Sequence, residues 1–305
     1  MSLLDDYLAL RRAVGFKLAG AESRLRRFVR FAEERGDTHV RIDTAVVWAG
    51  KATSPHERHV RLQELAIFAR HLSAEDPRHE VPPPHVFAFK RHKRLPYIYS
   101  DDEIRRLLLA AGDRHRRPGD SMGDTYKTLF GLIAATGIRV GEACRLCIRD
   151  VTGKALFIRE TKFRKSRMLP LHETTVIQLV AYSERWRFAA EPDDPFFVSL
   201  TGGKLSRAQV DNVFRQLTDQ LDLTFSGEEG RHPGPRIHDM RHTFAVRALE
   251  TCPSGREEIN KHMLALSTYL GHARLENTYW YLHVTPQLMT DIADACEIWS
   301  GRGDR

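Results

Sequence analysis

A chain of 305 residues exceeds the usual size of one domain, so two are expected. Hydrophobic residues at 42% supply real cores, and no apolar run approaches the roughly 20 residues that cross a bilayer, which excludes a membrane-spanning helix. Met1-Ser2-Leu3-Leu4-Asp5-Asp6 lacks the order of a secretion signal and the four cysteines lack framework spacing, so a soluble, cytoplasmic, reduced protein is expected.

The N-terminal third holds most of the net charge of +7: residues 1–95 contain 18 Lys+Arg and 12 Asp+Glu, and the remainder 29 and 28. That excess suits a surface that grips phosphates, and suits a merely soluble basic domain equally well. Residues 4–13 read as a short helix marked by Leu4, Tyr7, Leu8 and Val14. Gly20 and Ser23 precede a longer one, in which Leu25, Phe28, Val29 and Ala32 follow the i, i+3, i+4, i+7 rule for a buried face. Arg26, Arg27 and Arg30 lie off that face, free to meet a phosphate backbone or water alone. Asp43 is expected to cap a third helix through Trp48. Ser54-Pro55 should open a fourth, with Leu62, Leu65, Ala66, Ala69 and Leu72 on one side.

Val81-Pro82-Pro83-Pro84 cannot continue a helix. Residues 85–97, with Lys90-Arg91-His92-Lys93-Arg94, read as a basic linker between a domain at 1–84 and another at 98–305. Ser100-Asp101-Asp102-Glu103 starts a helix with acidic residues in its first turn. An apolar helix over 122–135 ends at Gly137, and Arg139 opens the next, which carries Glu142, Leu146 and then Asp150. Alone, Arg139 reads as an ion-pair partner of Glu142 or Asp150. Cys144 and Cys147 form Cys-x-x-Cys, but no second pair or nearby histidine completes four ligands, and no metal is expected. Residues 155–158 and 167–171 read as a hairpin with its turn at 161–166, and 173–187 and 205–221 as amphipathic helices separated by a turn at 200–204. Residues 226–235 read as an exposed polar loop.

His238 starts a helix that places Arg241 and His242, three and four residues on, along one face. Unmatched, such a pair would read as a structural polar cluster. Leu270-Gly271-His272 breaks one helix and Asn277-Thr278 starts another; nine residues after His272, inside Tyr279-Trp280-Tyr281, stands Tyr281. A phenol ionises near pH ~10, so it becomes a nucleophile only beside a proton acceptor and cationic neighbours. Residues 286–299 set Leu288, Ile292, Ala295 and Trp299 on one stripe.

Three of these stretches carry a resemblance. Ala135-Thr136-Gly137-Ile138-Arg139-Val140-Gly141-Glu142-Ala143, then His238-Asp239-Met240-Arg241-His242-Thr243-Phe244-Ala245, then Leu270-Gly271-His272 with Thr278 and Tyr281 resemble, in order and spacing, the boxes of the tyrosine recombinases. These are the phage-integrase family of DNA breaking and joining enzymes. The resemblance covers roughly residues 96–300, and more loosely what precedes them. It implies a mainly α fold with a small β-sheet: an N-terminal helical core-binding domain, then an α+β catalytic domain, the two clamping double-stranded DNA. Arg26, Arg27, Arg30, Lys90, Arg91, Lys93 and Arg94 become candidate DNA contacts.

The same resemblance implies a catalytic set. Arg139 and Arg241 hold the scissile phosphate, His238 assists proton transfer and His272 hydrogen-bonds the phosphate. Tyr281 attacks to leave a 3′-phosphotyrosine and a free 5′ hydroxyl. A lysine on the hairpin protonates that leaving oxygen; Lys162 aligns best in Thr-Lys-x-x-Lys-Ser-Arg-x-x-Pro-Leu, with Lys165 its competitor. Because bond energy is kept in the covalent intermediate, no cofactor, ATP or metal is expected. The implied partners are duplex DNA and further copies of the chain, as a tetramer on DNA, with or without a sister recombinase. The 286–299 stripe then packs at home or on a neighbouring protomer. Two rival readings stay open: a catalytically silent DNA-binding protein of the same fold, and a relaxing enzyme like the type IB topoisomerases.

Overall fold

The structure, a computed structural model, describes residues 3–87, 89, 95–114, 119–159, 166–223, 234–251, 256–272, 274–279 and 281. The chain divides into two compact units, residues 1–94 and 95–305.

Among its described residues the N-terminal unit holds four helices: α1 (Leu3–Ala13), α2 (Ala19–Glu33), α3 (Ile42–Gly50) and α4 (Pro55–Ser73). Leu4, Tyr7, Leu8, Leu25, Phe28, Trp48, Leu62, Leu65, Phe68 and Leu72 close its core, so the i, i+3, i+4 stripes are the buried faces. α4 starts as its sequence dictates: Ser54 Oγ accepts from the Glu57 N–H and proline takes the first helical position. Three local expectations change. Val14 lies past α1 and is exposed. Gly20 and Ser23 fall inside α2, which begins at Ala19. Asp43 sits in the first turn of α3 and does not cap it; the Ile42 N–H is met at 2.7 Å by Glu80 Oε2, a carboxylate from beyond α4. A distant acceptor thus satisfies an amide that a local side chain was expected to serve. The carbonyl of Phe87 accepts from His59 Nδ1 at 2.9 Å and its ring packs on this core, so the first part of the 85–97 segment belongs to the N-terminal unit. Lys90, Arg91, Lys93 and Arg94 lie outside the described residues.

The second unit is built around α6 (Met122–Thr136), whose Leu129, Phe130, Leu132 and Ile133 are buried. Around it lie α5 (Asp101–Gly112), α8 (Glu173–Trp186), α9 (Arg207–Gln220) and α10 (Ile237–Glu250), with α7 (Val140–Ala143), α11 (Arg256–Leu270) and α12 (Glu276–Tyr279) completing the helices. The antiparallel hairpin of β1 (Ala155–Ile158) and β2 (Arg167–Pro170) pairs Leu156 with Leu169 and Ile158 with Arg167. Its period of two buries Leu156, Ile158 and Leu169 and leaves Phe157 and Met168 exposed. α7 is shorter than expected: the chain leaves it before Leu146 and makes a 3-10 turn at Ile148–Asp150. The fold is mainly α with one two-stranded sheet among the described residues.

Candidate active site

α6 stops because Gly137 takes φ +60°, and a Cβ there would stand 2.7 Å from the Phe244 ring. The turn delivers Arg139 to the start of α7, where Nη1 donates to Glu142 Oε1 at 2.7 Å and Nη2 to the carbonyl of Gly271 at 2.9 Å. Arg241, on α10, is only 1% exposed. Its guanidinium donates to Gly137 O (2.6 Å), Leu270 O (2.7 Å) and His272 Nε2 (3.0 Å). The end of α6 and the turn after α11 therefore cradle both guanidiniums from their backbone carbonyls. Gly271 turns the chain there with φ +68°.

Since a guanidinium can only donate, His272 Nε2 accepts, which leaves the ring proton on Nδ1 to face Thr278 Oγ1 at 2.8 Å. Thr278 is fully buried on α12, and Tyr281 follows it, 3% exposed, among Val246, Leu249, Met263, Leu266 and Leu270. Arg241 lies near enough to the Tyr281 hydroxyl for its charge to act on the phenol. Its ring stacks 6.1 Å from His272 and lies 5.3 Å from His242, whose ring meets His238 edge-on at 4.8 Å. Tyr279, by contrast, is 42% exposed.

Burial dominates the electrostatics. It raises the Tyr281 phenol above its ordinary range, against the lowering charges of Arg241 and Arg139. Burial and then neighbouring arginine charge push His272 down to about 3. Burial, then His242 and Arg241, take His238 to about 3, and burial with Arg236 takes His242 to about 4. All three rings are neutral at pH ~7. Arg241 falls only to about 10 and stays charged.

Glu142, itself buried, binds a second cation that the sequence reading passed over. Arg167 Nη2 meets Glu142 Oε2 at 2.8 Å, and its Nε donates to the carbonyl of Tyr269 at 2.9 Å. A signal for it exists: strand alternation places Arg167 on the inward face with Leu169, where a charge needs a partner. Burial opposes ionisation of Glu142, but hydrogen bonds and charge from Arg167 and then Arg139 hold its carboxyl down at about 2. Asp150 does not reach Arg139; it pairs with Arg159 and accepts from the Cys147 amide.

Lys162 and Lys165 lie outside the described residues. Arg26, Arg27 and Arg30 are exposed on α2 in the other unit. There Arg26 pairs with Asp5 and Glu22, Arg30 with Glu34, and Arg27 donates to the carbonyl of Ser23. Cys144 is buried and its thiol pushed up to about 11 by burial, unlike a metal-bound thiolate. Among the described residues one group could hold a metal: His39, Asp76 and His79. The Val40 amide donates to His79 Nδ1 at 3.0 Å, which keeps that ring's proton on Nε2, and Arg78 occupies Asp76. The group therefore fits an internal hydrogen-bonded cluster better than a metal centre. A cavity of about 470 Å³ between α6 and α8, lined by Asp124, Lys127, Gln178 and Trp186, contains none of the candidate residues.

The model of the phage integrase family matches residues 100–287, more than half of the chain, and spans all three boxes. The chain belongs to the phage integrase family. Among curated relatives, the Sinorhizobium fredii (strain NBRC 101917 / NGR234) protein y4rB, described as an integrase/recombinase, is 36% identical over 302 residues, covering 94% of this chain and 94% of the relative. The tyrosine recombinase XerD of Chlamydia muridarum (strain MoPn / Nigg) is 30% identical over 238 residues, covering 74% of this chain and 70% of its own length. A solved lambda integrase(75-356) dimer bound to a COC′ core site matches with TM-score 0.62 at 18% identity, over 92% of this chain and 93% of that one, which supports the fold. This phage integrase family member is a tyrosine recombinase, a site-specific enzyme that cuts and rejoins DNA strands. No helix among its described residues is long and apolar enough to cross a membrane.

Proposed function

We propose that this recombinase cleaves its DNA with Tyr281 as the nucleophile and Arg139 and Arg241 as the phosphate clamp. The observation that carries the reading is the convergence at the 270–272 turn: Arg241, fixed by two backbone carbonyls, donates to His272, whose ring stacks 6.1 Å from that of Tyr281, while Arg139 donates to the carbonyl of Gly271. Two rigid guanidiniums suit a scissile phosphate, because they stay protonated and compensate charge as the pentavalent state forms. Tyr281 Oη attacks phosphorus and the bond to the 5′ oxygen breaks; Lys162 gives that oxygen its proton. The phenol proton passes to a neutral imidazole, His238 or the neighbouring His242; the low pKa of both rings opposes that transfer, and attack on phosphorus, which consumes the phenolate charge as it forms, is what draws the proton off. His272 takes a different part from a phosphate donor: with Nε2 accepting from Arg241, it orients that guanidinium and ties it to Thr278 on the helix leading to Tyr281.

The 5′ hydroxyl of a partner strand reverses the same step, so the reaction conserves bond energy and calls for no cofactor. Exchange between two duplexes calls for several protomers, and the reading is of a homo-oligomer, a tetramer on DNA, with or without a sister recombinase. Arg26, Arg27, Arg30, Lys90, Arg91, Lys93 and Arg94 would grip the backbone. The ion pairs of Arg26 and Arg30 are exposed and screened by solvent, weak enough for a phosphate to displace.

The test is covalent capture. Nicked duplexes tiled across the DNA flanking the encoding gene lose the short cleaved end and so trap the protein on its site. Wild type and Tyr279→Phe should be captured, and Tyr281→Phe should not. Capture of Tyr281→Phe, or of no protein by any duplex, would overturn the assignment; relaxation of plasmids without a particular site would favour the relaxing enzyme instead.

A further inference from the structure

We propose that Arg167 is a positioning residue for strand cleavage, acting through Glu142 and the turn at 270–272 to keep Arg139 placed and positively effective against the scissile phosphate. The inference rests on the role given to Arg139 above.

Arg167 touches both supports of that arginine. Its side chain is 11% exposed, and the Glu142 side chain between the two arginines 3%. Glu142 Oε1 takes Arg139 Nη1 at 2.7 Å and Arg167 Nη1 at 3.3 Å; Oε2 takes Arg167 Nη2 at 2.8 Å and the Arg139 backbone N–H at 3.3 Å. On the other side, the Arg167 guanidinium lies directly under Gly271: a Cβ there would stand 2.7 Å from Nη1 and 2.9 Å from Cζ. Nε meanwhile holds the carbonyl of Tyr269 at 2.9 Å. The next two carbonyls, of Leu270 and Gly271, are the ones that hold Arg241 and Arg139.

Charge gives the arrangement its consequence. Glu142 with Arg139 alone would sum to zero, and an incoming phosphate would find a neutralised pair. With Arg167 the trio carries a net +1, so Glu142 can orient Arg139 without cancelling it. A buried arginine needed only for packing could be replaced by an apolar side chain of similar volume at little cost. Arg167 also opens β2, so one side chain joins the hairpin to the phosphate clamp.

The experiment uses the full-length protein and the nicked duplex captured by wild type, made with either a phosphate or an uncharged methylphosphonate at the scissile position. Single-turnover cleavage, duplex affinity and thermal unfolding are measured for wild type, Arg167→Met and Arg167→Lys. The lysine variant keeps a cation but not the fork that spans Glu142, Tyr269 and Gly271. Both variants should bind the duplex as wild type does and cleave the phosphate about 10- to 100-fold more slowly. On the methylphosphonate, where there is less charge to compensate, the Arg167→Met deficit should shrink to within about 3-fold of wild type. Unchanged cleavage of the phosphate, or an equal deficit on both substrates, would contradict the positioning role. Loss of folding or duplex binding in both variants would make Arg167 a structural residue and overturn it as well. If wild type cleaves neither duplex, the catalytic reading itself fails, and this inference falls with it.

Discussion

Arg241 shows how this site is assembled at the level of single residues. A guanidinium 1% exposed is costly to desolvate, and three acceptors, Gly137 O, Leu270 O and His272 Nε2, offset that cost. Two of the three are carbonyls at glycine-containing turns, so the glycines matter through where they aim the backbone. Gly271 is the sharper case. It combines φ +68° with a guanidinium where a Cβ would go, and that guanidinium is pinned by Glu142 and Tyr269. Gly271→Ala should therefore lower stability by about 1–3 kcal/mol and slow cleavage, because relieving the clash moves Arg167 off Glu142. Denaturant unfolding and single-turnover cleavage check this; unchanged values for both would show that the turn yields without disturbing the clamp.

Among the elements, the helix ends were legible where the signal is local. Ser100 closes a full capping box with Glu103 at the start of α5. Ser100→Ala should cost about 1 kcal/mol in stability and leave the cleavage rate of the folded enzyme at the wild-type value. A stability loss near zero would mean that Tyr99, held by Thr243 Oγ1 and by the carbonyl of Arg236, anchors this end by itself. The hairpin and the α6 stop at Gly137 were equally readable, since alternation and a left-handed glycine need no tertiary information. What escaped was partner choice across the fold. Nothing near Ile42 announces that Glu80 will meet its amide, and Asp43 is the better local candidate. Nothing near Glu142 says that it will serve residue 167 as well as residue 139, or that Asp150 will turn to Arg159. His272 was legible as part of the site, yet its direction was not: only the placement of Arg241 decides which ring nitrogen carries the proton.

For the molecule as a whole, one face of α10 and the 270–281 segment bury three neutral histidines beside permanent cations. His238 and His272 fall from an ordinary 6.5 to about 3, and His242 to about 4. A folded-state pKa below the unfolded value means that the unfolded chain binds more protons between those limits, so stability rises with pH there. The melting temperature should thus climb from pH 4 to about pH 7 and then level off, with Glu142 contributing in the same sense below about pH 5, between its ordinary 4.5 and its folded value of about 2. A scanning-calorimetry series between pH 4 and 8 measures it. A melting temperature that is flat or rises toward acid would mean that these rings are not buried neutral. The acid loss belongs to the catalytic unit, where all three histidines sit.

Cleavage by this chain turns on one oxygen, and the most direct measurement identifies the atom joined to DNA. Protein captured on a nicked duplex is digested with protease and nuclease, and the peptide carrying a residual phosphonucleotide is sequenced by tandem mass spectrometry. The modification should sit on Tyr281. A phosphonucleotide on Tyr279, on any other side chain, or on no peptide at all would contradict the site described here.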